Sequence, residues 1–106
     1  MPKYLFEASY TVEGVKGLIK EGGTSRRTNF ETAVKGLGGS LESFYYVFGE
    51  DDVVGVLDMP DNVSIAALSL SVGASGAVST SVRVLLTPEE IDAAVKKTTD
   101  YRAPGK

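Results

Sequence analysis

The stretch FGEDDVVGVLDMPDN, residues 48–62, contains a turn, a strand and a stop signal in succession. Gly49 and the three acids that follow it supply the backbone freedom and local hydrogen bonds of a tight turn. The apolar run from 53 to 59 predicts a strand, and Pro60 ends it because proline cannot donate a hydrogen bond to a sheet. An aromatic run at about 40–48 precedes the turn, so the sequence predicts a β-hairpin.

The segments around this hairpin predict two further strands and four helical regions. The predicted elements are a strand at 3–10, a helix at about 12–20 capped by Thr11, a second helical stretch capped by Thr24 or Ser25 and ended by Gly38-Gly39, strands at 40–48 and 53–59, a helix at 63–72 capped by Asp61 or Asn62, a strand at 77–86 and a helix of about ten residues after Thr87. The order is therefore β-α-β-β-α-β with a C-terminal helix. It predicts an α+β, ferredoxin-like fold with a four-stranded antiparallel sheet.

Length and composition indicate one globular domain. The chain has 106 residues, of which 42% are hydrophobic and 24% are charged. We expect residues 1–98 to form the domain and 99–106 a flexible tail. The formal net charge is −3 and the basic residues are scattered, so we expect no nucleic-acid partner.

The chain lacks two residue types that many catalytic and metal-binding sites use, cysteine and histidine. Without cysteine or histidine there is no disulfide, no thiolate nucleophile and no imidazole base or metal ligand. No apolar run reaches the length of about 20 residues that a membrane span needs, and the N-terminus does not resemble a signal peptide. We therefore expect a cytoplasmic protein with no membrane partner, no cofactor, no metal and no catalytic residue.

The motifs along the chain resemble those of one known family. Gly38-Gly39 closes a helix, an aromatic strand ends in Gly49, Glu50 and Asp52, and a valine-rich strand runs into Pro60-Asp61. Together with an Ala/Leu-rich helix and Gly76, this succession over roughly residues 2–95 resembles the GYD domain family of uncharacterised bacterial proteins. Asp51 stands where the signature tyrosine of that family is usual. The resemblance implies a ferredoxin-like fold and no particular activity.

Several side chains are candidates for ligand binding. Arg26 and Arg27 near a helix start favour a carboxylate or phosphate, or simply a charged helix surface. Tyr46 belongs to an aromatic group that favours either an apolar pocket or core packing. Asp58 and Arg83 lie within strands, where a charge on a buried face must be paired, at a sheet edge or across a subunit boundary.

Two further acidic positions have alternative interpretations. The acids at 50–52 are typical of a hairpin turn, and the alternative is a hard-cation site of the kind that calcium or magnesium occupies. Glu7 lies within the first strand and, like Asp58, would favour an enzyme if it lay buried in a closed pocket. We expect the acidic turn to be structural.

The predicted strands carry apolar residues on both faces. A sheet with one solvated face alternates apolar and polar residues along each strand. The third strand does not alternate in this way, since it contains Val53, Val54, Val56 and Leu57. Helices cover only one face, so a partner sheet or the C-terminal helix must cover the other. We expect a homodimer or a higher homo-oligomer, with a dimeric α+β-barrel-like assembly as one possibility.

These observations favour an oligomeric module that binds a small molecule or serves assembly, without catalysis. The alternatives are a small cofactor-independent enzyme of the dimeric α+β-barrel type, such as an oxygenase or isomerase, and a regulatory ligand sensor. Both alternatives rest on analogy of fold.

Overall fold

The structure, a computed structural model, describes residues 1–106. Its elements are β1 (Lys3–Tyr10), α1 (Val12–Glu21), α2 (Gly23–Gly36), β2 (Ser40–Tyr46), β3 (Val53–Asp58), α3 (Asn62–Ala74), β4 (Val78–Leu85) and α4 (Pro88–Val95). The four strands form one sheet in the order β2-β3-β1-β4, and all neighbours are antiparallel. The predicted ferredoxin-like α+β fold is confirmed.

Helix α2 begins earlier than the sequence indicates. Gly22 adopts a φ of 86°, a left-handed conformation that favours glycine and cannot continue a helix. The next helix therefore begins at Gly23, and its first backbone bond runs from the Arg26 amide to the Gly22 carbonyl. Thr24 and Ser25 lie inside its first turn, so the prediction that one of them caps this helix is wrong.

The hairpin between β2 and β3 begins two residues before its predicted start. Strand β2 ends at Tyr46, and the Val47 amide then donates to the Asp52 carbonyl across the turn. Phe48, which we expected to end the strand, is fully exposed. The turn therefore includes Val47 and Phe48, which the sequence assigns to the strand.

The core lies between one face of the sheet and helices α2 and α3. Strands β1 and β3 alternate between buried and half-buried residues along their length. Val34 from α2 and Ile65 and Leu68 from α3 pack against the buried set. The buried hydrophobic residues are Tyr4, Phe6, Ala8, Val34, Val53, Leu57, Met59, Ile65 and Leu68.

The chain is more extended than a compact monomer of its size. Its accessible surface is 7331 Å², against about 5,700 Å² expected for a folded chain of this mass. Its radius of gyration is 17.0 Å, against about 13 Å expected. Helix α4 contributes to this, because every residue from 88 to 106 is exposed. No helix has the length and hydropathy required to cross a bilayer.

The contact between α1 and the connection from α3 to β4 depends on Gly14, which lies against Ala77. A Cβ atom added at Gly14 would lie 2.1 Å from the Ala77 carbonyl oxygen, whereas one at Gly17 would meet nothing within 4 Å. We expect Gly14→Ala to lower the free energy of unfolding by about 1–3 kcal/mol because the backbone must shift. Gly17→Ala, the matched control, should raise it by up to about 1 kcal/mol. Urea denaturation measures both, and equal effects of the two substitutions would contradict this account.

Candidate functional site

A cavity lies between the sheet and the helices that cover it. Its enclosed part has a volume of about 60 Å³, and two open clefts of about 430 and 300 Å³ adjoin it. Tyr10, at the end of β1, lines all three spaces. The enclosed part is lined by Phe6, Ala8, Tyr10, Arg26, Phe30, Phe44, Val53, Gly55, Val72 and Val78.

A chain of aromatic rings forms one wall of this cavity. The ring centres of Phe6 and Phe30 lie 5.0 Å apart, and those of Phe30 and Phe44 lie 5.8 Å apart. Phe44 then meets Tyr46 edge to face at 5.4 Å. These separations are typical of favourable aromatic pairs. The wall therefore suits a flat or branched apolar group.

Tyr10, Arg26 and Tyr46 stand where the enclosed cavity opens into the clefts. The Tyr46 hydroxyl donates a 2.9 Å hydrogen bond to the Gly23 carbonyl at the start of α2. Burial and the neighbouring Tyr10 phenol raise the pKa of Tyr46 to about 12, against a smaller lowering by the Arg26 guanidinium. Tyr46 is therefore a neutral hydrogen-bond donor at physiological pH.

The charges at this opening are mainly negative. The Arg26 guanidinium lies 3.3 Å from Oε2 of Glu21, so its charge is already paired. Glu13 lines one cleft, and Asp52 lines the other while accepting a 2.7 Å hydrogen bond from the Tyr10 amide. An added carboxylate would meet these three acids and two cations that are already paired, since Lys16 Nζ lies 3.7 Å from Glu13 Oε1. The opening therefore favours a neutral polar group over an anion.

The structure places three of the predicted site residues near one another and separates the other two from them. Arg26 lies close enough to Tyr46 at the cavity opening for its charge to act on the Tyr46 phenol. Arg27, on the same helix, is exposed and lines a shallow groove together with Tyr46. Asp58 and Arg83 lie on the opposite face of the sheet, far from the cavity in the register of the strands.

Tyr10 is the functional candidate that the sequence analysis missed. It continues the alternation of Tyr4, Phe6 and Ala8, which all point toward the helices. That two-residue period is visible in the sequence. The proximity of Tyr10 to Arg26 is not visible there, because this proximity depends on the position of α2.

The other face of the sheet is not covered by any helix and carries paired charges around apolar residues. Lys3 Nζ binds the Asp58 carboxylate at 3.1 Å and also binds Glu42. Arg83 Nε lies 3.5 Å from Glu7 Oε1. Both strand charges singled out in the sequence thus have partners within the chain.

The acids of the hairpin turn attach the turn to β1. Asp51 accepts a 3.1 Å hydrogen bond from the Ser9 hydroxyl, and the Asp52 amide donates to the Ala8 carbonyl at 2.8 Å. Nowhere do three acidic side chains converge closely enough to hold a metal ion. These bonds give the acidic turn a structural role.

Glu7 generates a prediction about pH. The neighbouring Asp51 carboxyl, followed by burial, raises the pKa of Glu7, against a smaller lowering by Arg83. A raised carboxyl pKa stabilises the fold fully below the ordinary value of about 4.3, and this contribution is lost as the pH rises through the raised value.

We therefore expect the free energy of unfolding of the wild type, relative to Glu7→Gln, to fall as the pH rises from about 4 to 7. Glu13→Gln on exposed α1 is the matched control for the removal of one carboxylate from the chain. Denaturant titrations across this range measure the difference. A difference independent of pH would contradict the role assigned to Glu7.

Comparison with known proteins agrees with the resemblance read from the motifs. The GYD domain profile matches residues 4–95. No curated protein and no solved structure matches the chain significantly. The match extends from β1 through α4 and so includes both the cavity and the uncovered face of the sheet. The chain belongs to the GYD domain family.

Proposed function

We propose that this protein is a homo-oligomeric module that binds a small, largely apolar and uncharged molecule without transforming it. The cavity lined by an aromatic wall, with Tyr10 and Arg26 at its opening, is the observation that carries the proposal. Binding sites for small molecules are typically apolar clefts with a few convergent polar groups. The enclosed part holds an apolar group, and the adjoining cleft holds the rest of the ligand.

The polar residues at the opening suggest the ligand's chemical class. Arg26 offers N–H donors, and the Tyr10 hydroxyl both donates and accepts. The carboxylates of Glu13, Glu21 and Asp52 repel anions. A hydroxyl or carbonyl group on an aromatic or aliphatic body satisfies these conditions.

The cavity does not have the feature that would favour an enzyme. A buried carboxylate in a closed pocket would supply a general base. Glu7 and Asp58, the two candidates, belong to the face of the sheet opposite the cavity. A regulatory sensor remains compatible with Arg26 at an open cleft, and it would use the same binding step.

Self-association is supported by the exposed apolar surface. The accessible area exceeds that of a compact monomer by roughly 1,600 Å², whereas a standard interface buries about 800 Å² on each partner. Leu5, Val54 and Val56 lie on the face of the sheet that no helix covers. A closed two-fold assembly is the commonest way to bury such a surface.

The ligand proposal is tested with two probes of matched size. At neutral pH we expect 2-naphthol to bind at least about tenfold more tightly than 2-naphthoate, because the acids at the opening repel the carboxylate. Val72→Phe fills the cavity and should abolish 2-naphthol binding. Val63→Phe, on the exposed side of the same helix, is its control.

Arg26→Gln tests the polar group at the opening and Arg27→Gln is its matched control. Only the first should weaken 2-naphthol binding. Fluorescence titration and native mass spectrometry measure the affinities. Absence of 2-naphthol binding, or unchanged binding in Val72→Phe, would overturn the proposal.

The assembly proposal is tested by sedimentation equilibrium at micromolar concentration. We expect a mass of at least twice the 11.2 kDa of the chain. Val54→Lys or Val56→Lys should dissociate the assembly, because association would remove the added ammonium group from water. Val63→Lys, 78% exposed on α3, should have no effect. A wild-type monomer across the concentration range would refute self-association.

A further inference from the structure

The C-terminal arm, residues 88–106, contains helix α4 and has no packing surface in its own chain. Its helix α4 has a strong start, with a capping box between Thr87 and Glu90 and Pro88 in the first turn. Yet no residue of the arm is buried, and α4 makes no substantial contact with another element. Isolated helices of fewer than about 12 residues are marginal in water. Helix α4, with eight residues, therefore requires a surface to pack on.

One side of α4 is suited to such packing. Ile91, Ala94 and Val95 follow the i, i+3, i+4 spacing and share one face of the helix. Ile91 is 45% exposed and Val95 is 72% exposed. Acidic residues occupy the other positions of the first turns. The helix is thus amphipathic, and its apolar side faces water in the single chain.

A matching surface crosses the uncovered face of the sheet. In the strand register, apolar side chains follow one another diagonally over all four strands, in a row only one side chain wide. We name this row the apolar band, and its members are Leu85, Leu5, Val56, Val54 and Tyr45. Neighbouring strands are about 4.8 Å apart. The band therefore has the width of a single helix.

The charges beside the band favour a helix over a second sheet. Lys3 and Asp58 lie on one side of the band, and Glu7 and Arg83 lie on the other. A second sheet packed face to face would bury both ion pairs, and burial of charges costs more than pairing returns unless the geometry is excellent. A helix laid along the band leaves these pairs at its margins, in contact with water.

The connection between β4 and α4 directs the arm away from its own domain. Only Leu86 and Thr87 separate the two elements. Thr87 precedes a proline and is extended, with φ −74° and ψ 159°. The capping box fixes this conformation, and the molecule reaches 56 Å along its longest axis. A return of α4 onto its own sheet would require a different backbone conformation in this two-residue connection.

We propose that the C-terminal arm of one copy docks on the apolar band of a second copy, and reciprocally. This proposal rests on the self-association proposed above and identifies the surfaces that meet. The exchange closes with two-fold symmetry.

The charges beyond the end of α4 and beyond the end of the apolar band favour one orientation of the helix on the band. Residues 96–106 contain four basic residues, Lys96, Lys97, Arg102 and Lys106, and one acid, Asp100, a net charge of +3. The acidic turn at 50–52, with a net charge of −3, follows the Tyr45 end of the band. With the C-terminal end of α4 at Tyr45, the basic segment reaches the partner's acidic turn.

Disulfide cross-linking tests the arrangement, and the chain contains no native cysteine to interfere. Val54→Cys chains are mixed with Ile91→Cys chains of different mass, and the mixture is oxidised under mild conditions. We expect a covalent heterodimer of the two chains. We also expect that neither variant alone forms a covalent dimer in appreciable yield, and that the chain carrying both substitutions forms disulfides between chains.

Three outcomes overturn the proposal. A Val54→Cys homodimer would indicate sheet-on-sheet packing, an intrachain disulfide in the double variant would indicate docking on the same chain, and a lack of heterodimer would exclude the contact. In each case sedimentation of the wild type separately decides whether the chain self-associates.

A charge substitution with a matched control gives a second measurement on the full chain. Ile91→Asp places a charge on the apolar side of α4, and Ala93→Asp places the same charge on the opposite side. We expect Ile91→Asp to raise the dissociation constant of self-association at least about tenfold, while Ala93→Asp leaves it unchanged. Circular dichroism verifies that both variants are folded. Equal dissociation constants for the two variants would overturn the role of the arm while leaving self-association intact.

Discussion

The pairing of β1 with a strand on each side is the constraint on which the rest of the structure depends. β3 pairs with it along one edge and β4 along the other, both in antiparallel register. Successive side chains of a strand point to opposite faces, so β1 sends Phe6 and Tyr10 toward the helices and Leu5 and Glu7 toward the uncovered face. A shift of one residue in this register would exchange the two sets. The cavity and the apolar band are therefore two consequences of a single register.

The hairpin between β2 and β3 maintains that register. Its acidic turn is bonded to β1 through Ser9, Ala8 and Tyr10 rather than left free in solvent. The Tyr10 amide thus donates to the Asp52 carboxylate, while the Tyr10 ring lines the cavity. The same turn contains the position where the family signature has a tyrosine and this chain has Asp51. Its contact with Ser9 shows that the aspartate at this position has a structural use in the present sequence.

Local patterns were sufficient to predict much of the fold. The helix starts at Thr11, Asp61 and Thr87 each have the side-chain capping bond that the sequence indicates. The hairpin and the order of elements also follow from turn residues and alternation. The sequence does not identify Gly22 as the cap of α2, because two adjacent glycines do not reveal which of them adopts a positive φ.

The site was less predictable because it depends on contacts between distant segments. The sequence indicates Arg26 and Tyr46 only as separate candidates, and nothing in it shows that they lie beside Tyr10 or that Glu21 pairs with Arg26. Whether α4 covers the sheet was also undetermined, since an amphipathic pattern identifies an apolar side but not the surface that it contacts.

The distribution of aromatic residues has a consequence for spectroscopy. The chain has five tyrosines and no tryptophan, so its absorption at wavelengths longer than the phenylalanine band, and nearly all of its emission, come from tyrosine. Tyr10 and Tyr46 stand at the cavity opening, Tyr4 is in the core and Tyr45 lies on the uncovered face. Since the pKa of Tyr46 is raised to about 12, its phenol does not ionise over the usual working range of pH. The unlabelled protein therefore carries its own optical reporters in the cavity, in the core and on the sheet surface.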